Sequence, residues 1–112
     1  MIFFEDIRVS DSYDIDRIVE VYSEAMGITP SGTGDATCWE NSVDDDIFFV
    51  VIKPIAYIPG DNLMLLVLGP DKHLCEDVSV EFESITGLKT REAPKYLRDL
   101  CEYHKNRLGI GQ

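Results

Sequence analysis

The sequence predicts an α+β domain: an antiparallel or mixed sheet of about four strands with two main helices, at 12–26 and 93–108. Three observations carry this prediction. Apolar residues recur at helical spacing in two segments, two continuous apolar runs of strand length lie between them, and helices and strands do not alternate strictly. A chain of 112 residues fits a single domain over 1–112. Its 45% hydrophobic content supplies a core and excludes a wholly disordered chain.

Residues 2–9 are rich in β-branched and aromatic types and read as the first strand. Ser10, Asp11 and Ser12 offer caps for a helix with the stripe Ile15, Ile18, Val19, Tyr22, Ala25 and Met26. Asp14 and Asp16 favour the positive end of its dipole, Gly27 suits a left-handed C′ position, and Pro30 blocks continuation. Residues 29–46 are dense in small and polar types, so a loop is expected there, with one short helix near 36–42. The apolar run at 47–52 is the next strand, prolonged over 55–58 after Pro54, which confines that point to a bulge or an edge. Pro59-Gly60-Asp61-Asn62 is a turn by composition, and 63–68 returns as the second apolar strand of an antiparallel hairpin covered on both faces. Val78, Val80 and Phe82 alternate with Ser79, Glu81 and Glu83, which predicts a third, half-exposed strand with an acidic outer face. The last helix carries Tyr96, Leu97, Leu100, Cys101, His104 and Leu108 on one stripe, with Pro94 in its first turn and Gly109 after its end. The expected order is β-α-(α)-β-β-β-α.

Ten basic against 21 acidic residues give a net charge of −11, unevenly spread. Residues 1–83 hold 18 acidic and 4 basic residues (Arg8, Arg17, Lys53, Lys72), while 84–112 hold 3 acidic and 6 basic. Such a surface repels nucleic acid and anionic lipid, so direct binding to either is not expected. Its natural partner is a basic protein, or a nucleic-acid-binding protein whose groove it blocks. The competing explanation is that acidity serves solubility alone. Cys38, Cys75 and Cys101 are odd in number and contain no C-x-x-C pair, which points to a reduced, cytoplasmic setting in a bacterial or phage-infected cell. The N-terminal residues lack the basic n-region of a signal peptide. Neither apolar run approaches the roughly 20 residues of a membrane span.

The element order resembles the first two-thirds of the Gcn5-related N-acetyltransferase fold, and the opening IRVSDSYDIDRIVEVYSEAMGI is similar in style to the start of those domains. The resemblance implies a truncated or degenerate member of that fold, such as occurs in some phage proteins. It also implies an acetyl-CoA site in the stretch ESITGLKTREAPKYLRDL, where Lys89, Arg91 and Lys95 would meet the pyrophosphate beside helix N-terminal amides. The glycines of the family's cofactor loop are not met: Thr90 to Lys95 stand in their place, and Pro94 removes an amide.

Other constellations have plainer explanations. His73, Cys75, Cys101 and His104 offer zinc-type ligands, but Cys101 and His104 fall on the apolar stripe, so no metal site is expected. Asp44-Asp45-Asp46 lacks the 12-residue loop of a calcium hand and reads as charged surface. Glu81 and Glu83 read as the wet side of a sheet, and Ser31-Gly32-Thr33-Gly34, which lacks a phosphate-loop lysine, as a flexible loop. Trp39 is either a core anchor or an interface anchor.

No catalytic set is complete, while the charge excess is large. The expected function is therefore a non-enzymatic acidic interaction protein, of inhibitor, immunity or phage-encoded type, using Asp35, Trp39, Glu40, Asp44, Asp45 and Asp46 and no cofactor. The alternatives are an acetyl-CoA-binding domain, active or decayed, and a phage virion or assembly component.

Overall fold

A computed structural model describes residues 3–55, 62–95, 97 and 99. The N-terminal β-branched segment forms β1 (Phe4–Ser10), and helix α1 (Ile15–Met26) follows. The N-cap of α1 is Asp14, whose carboxylate accepts the Arg17 N–H at 3.3 Å, so the helix starts later than caps at residues 10–12 imply. Gly27 closes it at φ 67°, as expected.

Residues 29–46 correct the sequence expectation. In place of a loop with a short helix at 36–42 there are two strands, β2 (Ser31–Thr33) and β3 (Ala36–Val43). Turn chemistry is the reason. Gly34, at φ 66°, opens a two-residue turn between the paired residues Thr33 and Ala36. Asp44 and Asp45, at φ 50° and 70°, are the central pair of a second two-residue turn between Val43 and Asp46, the positive-φ signature of a type I′ hairpin. Aspartate tolerates that conformation better than most residues, and edge strands accept polar side chains. The Ser31–Gly34 motif is thus part of a hairpin rather than a flexible loop.

The two apolar runs are β4 (Asp46–Ile55) and β5 (Asn62–Gly69), paired antiparallel as expected. β3 pairs with β4 only as far as Thr37 opposite Ile52, so Pro54 sits at a local edge that needs no N–H on that side. The expected turn at 59–62 lies, except for Asn62, outside the described residues, as does 56–58.

The strand expected from Val78, Val80 and Phe82 is instead part of helix α2 (Lys72–Thr86). Asp71 caps its start, accepting the His73 and Leu74 N–H groups at 2.8 and 3.1 Å, and Gly87 closes it at φ 73°. Cys75, Ser79, Phe82 and Thr86 are buried at steps of four and three, whereas Val80 is 54% exposed. The short alternation was a fragment of a longer 3.6-residue period. A two-residue strand, β6 (Arg91–Glu92), follows. Of the helix expected at 93–108, Lys95, Leu97 and Asp99 are helical, and the remainder lies outside the described residues.

The class is α+β as expected, but among the described residues the sheet has six strands rather than about four, in the order β2-β3-β4-β5-β1-β6, with every pairing antiparallel. Helices α1 and α2 cover one face, where Ile18, Tyr22 and Phe82 pack with Trp39, Ile52 and Leu65. The other face gathers Ile7, Cys38, Val51 and Leu66 with Ala93 and Leu97. β5 is buried at all eight positions, which is why its sequence does not alternate. Gly69 lets β5 take close neighbours on the helical face, since a Cβ there would lie 2.5 Å from the Phe48 ring. Among the described residues, no helix is long and apolar enough to cross a membrane.

Candidate functional site

The β3–β4 hairpin carries most of the acidic residues singled out from the sequence. Residues 31–52 contain five acids (Asp35, Glu40, Asp44, Asp45, Asp46) and no Lys or Arg. Asp44 and Asp45 form the turn, Asp46 opens β4 opposite Val43, and Glu40 is exposed on β3. Among the described residues none of these four makes an ion pair or a side-chain hydrogen bond. Asp35, in the Gly34-Asp35 turn at the other end of β3, differs: it meets Lys53 at 3.5 Å with 59% of its side chain exposed. An ion pair that open to solvent contributes little, about 0–1 kcal/mol. The fold thus places Glu40 and Asp44–Asp46 along one end of the sheet and Asp35 at the opposite end of the same strand.

Trp39 does not belong to that surface. It is fully buried, its indole N–H donates to Ser23 Oγ at 2.9 Å, and its ring packs edge-on against Tyr22 with centroids 5.0 Å apart. Phe82 of α2 completes the cluster, 4.5 Å from Tyr22 and 6.1 Å from Trp39. Of the two roles open to it in the sequence, the structure gives Trp39 the core role. It holds α1 and α2 on the sheet and offers no surface anchor.

Lys89, Arg91 and Lys95 are all exposed. They follow the C-terminus of α2 rather than a strand, because the segment before them is helical. Lys89 lines a shallow groove with Tyr13, Asp14 and Arg17, while Arg91 Nη2 donates to Asp11 at 3.0 Å and lines a different cavity. The Ser79, Glu81, Glu83 face likewise dissolves: Ser79 is buried, Glu81 is exposed, and Glu83 accepts from Arg8 Nη1 at 3.4 Å.

That second cavity, of about 470 Å³, is lined by Asp6, Arg8, Lys72, Glu76, Arg91 and Glu92 among others, and no sequence motif announced it. Its residues come from β1, α2 and the β6 region, so no local spacing links them. Arg8 Nε donates to Asp6 at 2.8 Å, and Thr90 Oγ1 donates to Glu83. Burial works against the Arg8 charge, but the hydrogen bond and charge of Asp6, with Glu83, outweigh it and raise its pKa. The cavity is lined by charges of both signs, and Arg8 and Asp6 pair within it.

The described cysteines are poor nucleophiles. Burial pushes Cys38 up to about 11, helped by the charge of Glu40, and Cys75 up to about 12, helped by Asp6. Cys75 is fully buried and its thiol faces the Phe4 carbonyl at 3.6 Å. His73, by contrast, has 90% of its side chain exposed near Glu76. Among the described residues, no three His, Cys, Asp or Glu side chains are grouped to hold a metal ion, and Cys101 and His104 lie outside them. Comparison with protein-family models, curated proteins and solved structures gives no match.

Proposed function

We propose that this chain is a non-enzymatic, acidic interaction protein, of inhibitor, immunity or phage-encoded type, that binds a basic or nucleic-acid-handling protein. One observation carries the reading. The end of the sheet formed by the β3–β4 hairpin presents Glu40, Asp44, Asp45 and Asp46 with no cation paired to them among the described residues. Uncompensated like charges raise the free energy of the free protein, and a cationic partner relieves that while being steered in by the field.

Capture of partners from the native host identifies what to test, and stopped-flow binding to that partner tests the reading. Reversal of Asp44, Asp45 and Asp46 to Lys is expected to cut the association rate and flatten its salt dependence, with a much smaller change in dissociation. Steering acts over a Debye length of roughly 8 Å at physiological salt, so the wild-type rate falls as salt rises. An unchanged rate and salt slope in the reversed variant would remove the hairpin from the interaction. The competing reading, acetyl-CoA held by Lys89, Arg91 and Lys95, predicts heat on calorimetric titration with acetyl-CoA that is lost when all three become Glu. An acidic interaction protein without a cofactor predicts no heat.

A further inference from the structure

We infer that the outer edge of β3 at residues 40–42 is the docking strand. An extended partner segment bearing Lys or Arg adds there by main-chain pairing, beside the point where β2 stops. This rests on the function proposed above and supplies its binding mode.

The open edge follows from register. Successive residues of an antiparallel strand turn their N–H and C=O alternately to one neighbour and the other. Thr33 and Ala36 flank a two-residue turn, and so do Val43 and Asp46, so each is a doubly bonded pair. Ala36 and Cys38 therefore bond towards β2, while Thr37, Trp39, Asn41 and Val43 bond towards β4. Glu40 and Ser42 are left with N–H and C=O directed outward. β2 reaches no further than Ser31 opposite Cys38, where the chain turns back to α1. Among the described residues, no strand pairs with β3 on that side beyond Cys38. The edge thus offers two donors and two acceptors in strand spacing.

Charge selects the occupant. An open edge is equally a template for a second copy of the same chain. Here a second copy would bring one acidic edge, with Glu40 in it, against another on chains that each carry −11. A basic segment instead meets Glu40 across the new ladder and reaches the aspartates at the hairpin tip. Side chains alternate faces along a strand, so cations that meet Glu40 leave the intervening side chains on the helical side. On the helical side, Glu20 and Glu24 line a shallow groove with Val19, Ile28 and Pro30. The fitting partner is therefore an extended segment alternating cationic with aliphatic side chains.

The test uses the whole chain, labelled with ¹⁵N, and a six-residue acetylated, amidated peptide of alternating Lys and Val. A second peptide of the same sequence is N-methylated at every residue, which removes its donors and keeps its charge. At low salt the first peptide is expected to shift the Glu40 and Ser42 amides and slow their hydrogen exchange, and the methylated one to bind about tenfold more weakly without exchange protection. Ser42→Pro, which deletes one outward N–H at an edge position, should weaken the first peptide to a similar degree. If a thermal melt shows that this variant does not fold, the methylated peptide decides alone. Equal binding of both peptides, or shifts at Asp44–Asp46 without protection at Glu40 and Ser42, overturns strand addition and leaves the acidic-surface reading in place. No binding of either peptide overturns both.

Discussion

Asp44 and Asp45 have two separable jobs, and a double substitution separates them. Both sit at positive φ, 50° and 70°, in the hairpin turn, and both add charge beside Asp46. Asp44→Asn combined with Asp45→Gly installs the Asn-Gly pair that type I′ turns prefer and removes both charges. A left-handed conformation costs an ordinary L-residue about 1–2 kcal/mol, with Asp and Asn penalised less and Gly least. Against this, Gly gives the unfolded chain about 0.5–1 kcal/mol more entropy to lose. Relief of repulsion among three consecutive exposed carboxylates adds a few tenths of a kcal/mol, roughly the scale of surface pairs. The balance is a gain of about 0.5 kcal/mol, or about 2 °C in melting temperature for a domain of this size. D44K/D45K removes the same charges but places long side chains at the same φ values, so it should melt several degrees below wild type. The triple reversal to Lys is therefore not neutral to stability, and its association rates need the D44N/D45G variant as control. Urea titration and calorimetry measure stability, and stopped-flow mixing measures association, which should slow in both variants. A D44N/D45G protein that melts well below wild type, or a D44K/D45K protein that melts with it, would refute the turn assignment and the hairpin with it.

The remaining expectations concern the core and the ionisable groups. Trp39→Ala should lose about 3–5 kcal/mol, enough to unfold much of a marginal domain, and Ser23→Ala about 1–3 kcal/mol by orphaning the indole N–H. Circular dichroism in urea measures both, and a Trp39→Ala protein within about 1 kcal/mol of wild type would contradict the aromatic cluster. Ser79 Oγ is buried on α2 without a hydrogen-bond partner among the described residues, so Ser79→Ala should stabilise by about 1 kcal/mol, and a loss of similar size would mean the hydroxyl is satisfied. Burial pushes Cys38 from 9.0 to about 11, Cys75 from 9.0 to about 12 and Tyr22 from 10.0 to about 12. Each group holds its proton more tightly folded than unfolded, so their contribution is full below about pH 9 and lost as pH rises through the folded values. The urea midpoint should hold near neutrality and fall steadily from about pH 9 upward. A thiol reagent at neutral pH should modify Cys38 and Cys75 no faster than the protein opens, and prompt labelling of either in the folded state would contradict their burial.

What the sequence decided by itself is local. β1, α1 with Gly27 at its end, and the β4–β5 hairpin were legible because each shows its period or its termination within a single segment. The charge imbalance was equally plain, since it needs only a count. Three things were not legible. Residues 29–46 form strands because the Gly34 and Asp44-Asp45 turns close hairpins onto β4, and polar composition cannot distinguish an edge strand from a loop. Val78 to Glu83 are helical because α2 buries Cys75, Ser79, Phe82 and Thr86 against the sheet, a constraint that appears only when the caps at Asp71 and Gly87 are read together with the packing. Trp39 was left between core and surface, and its fate was settled by contacts with Ser23, Tyr22 and Phe82, all distant in sequence. The same holds for the open edge of β3. Which backbone groups of Glu40 and Ser42 turn away from β4 and meet no strand among the described residues depends on where β2 ends and which side β4 occupies, and pairing between strands is a property of the assembled sheet.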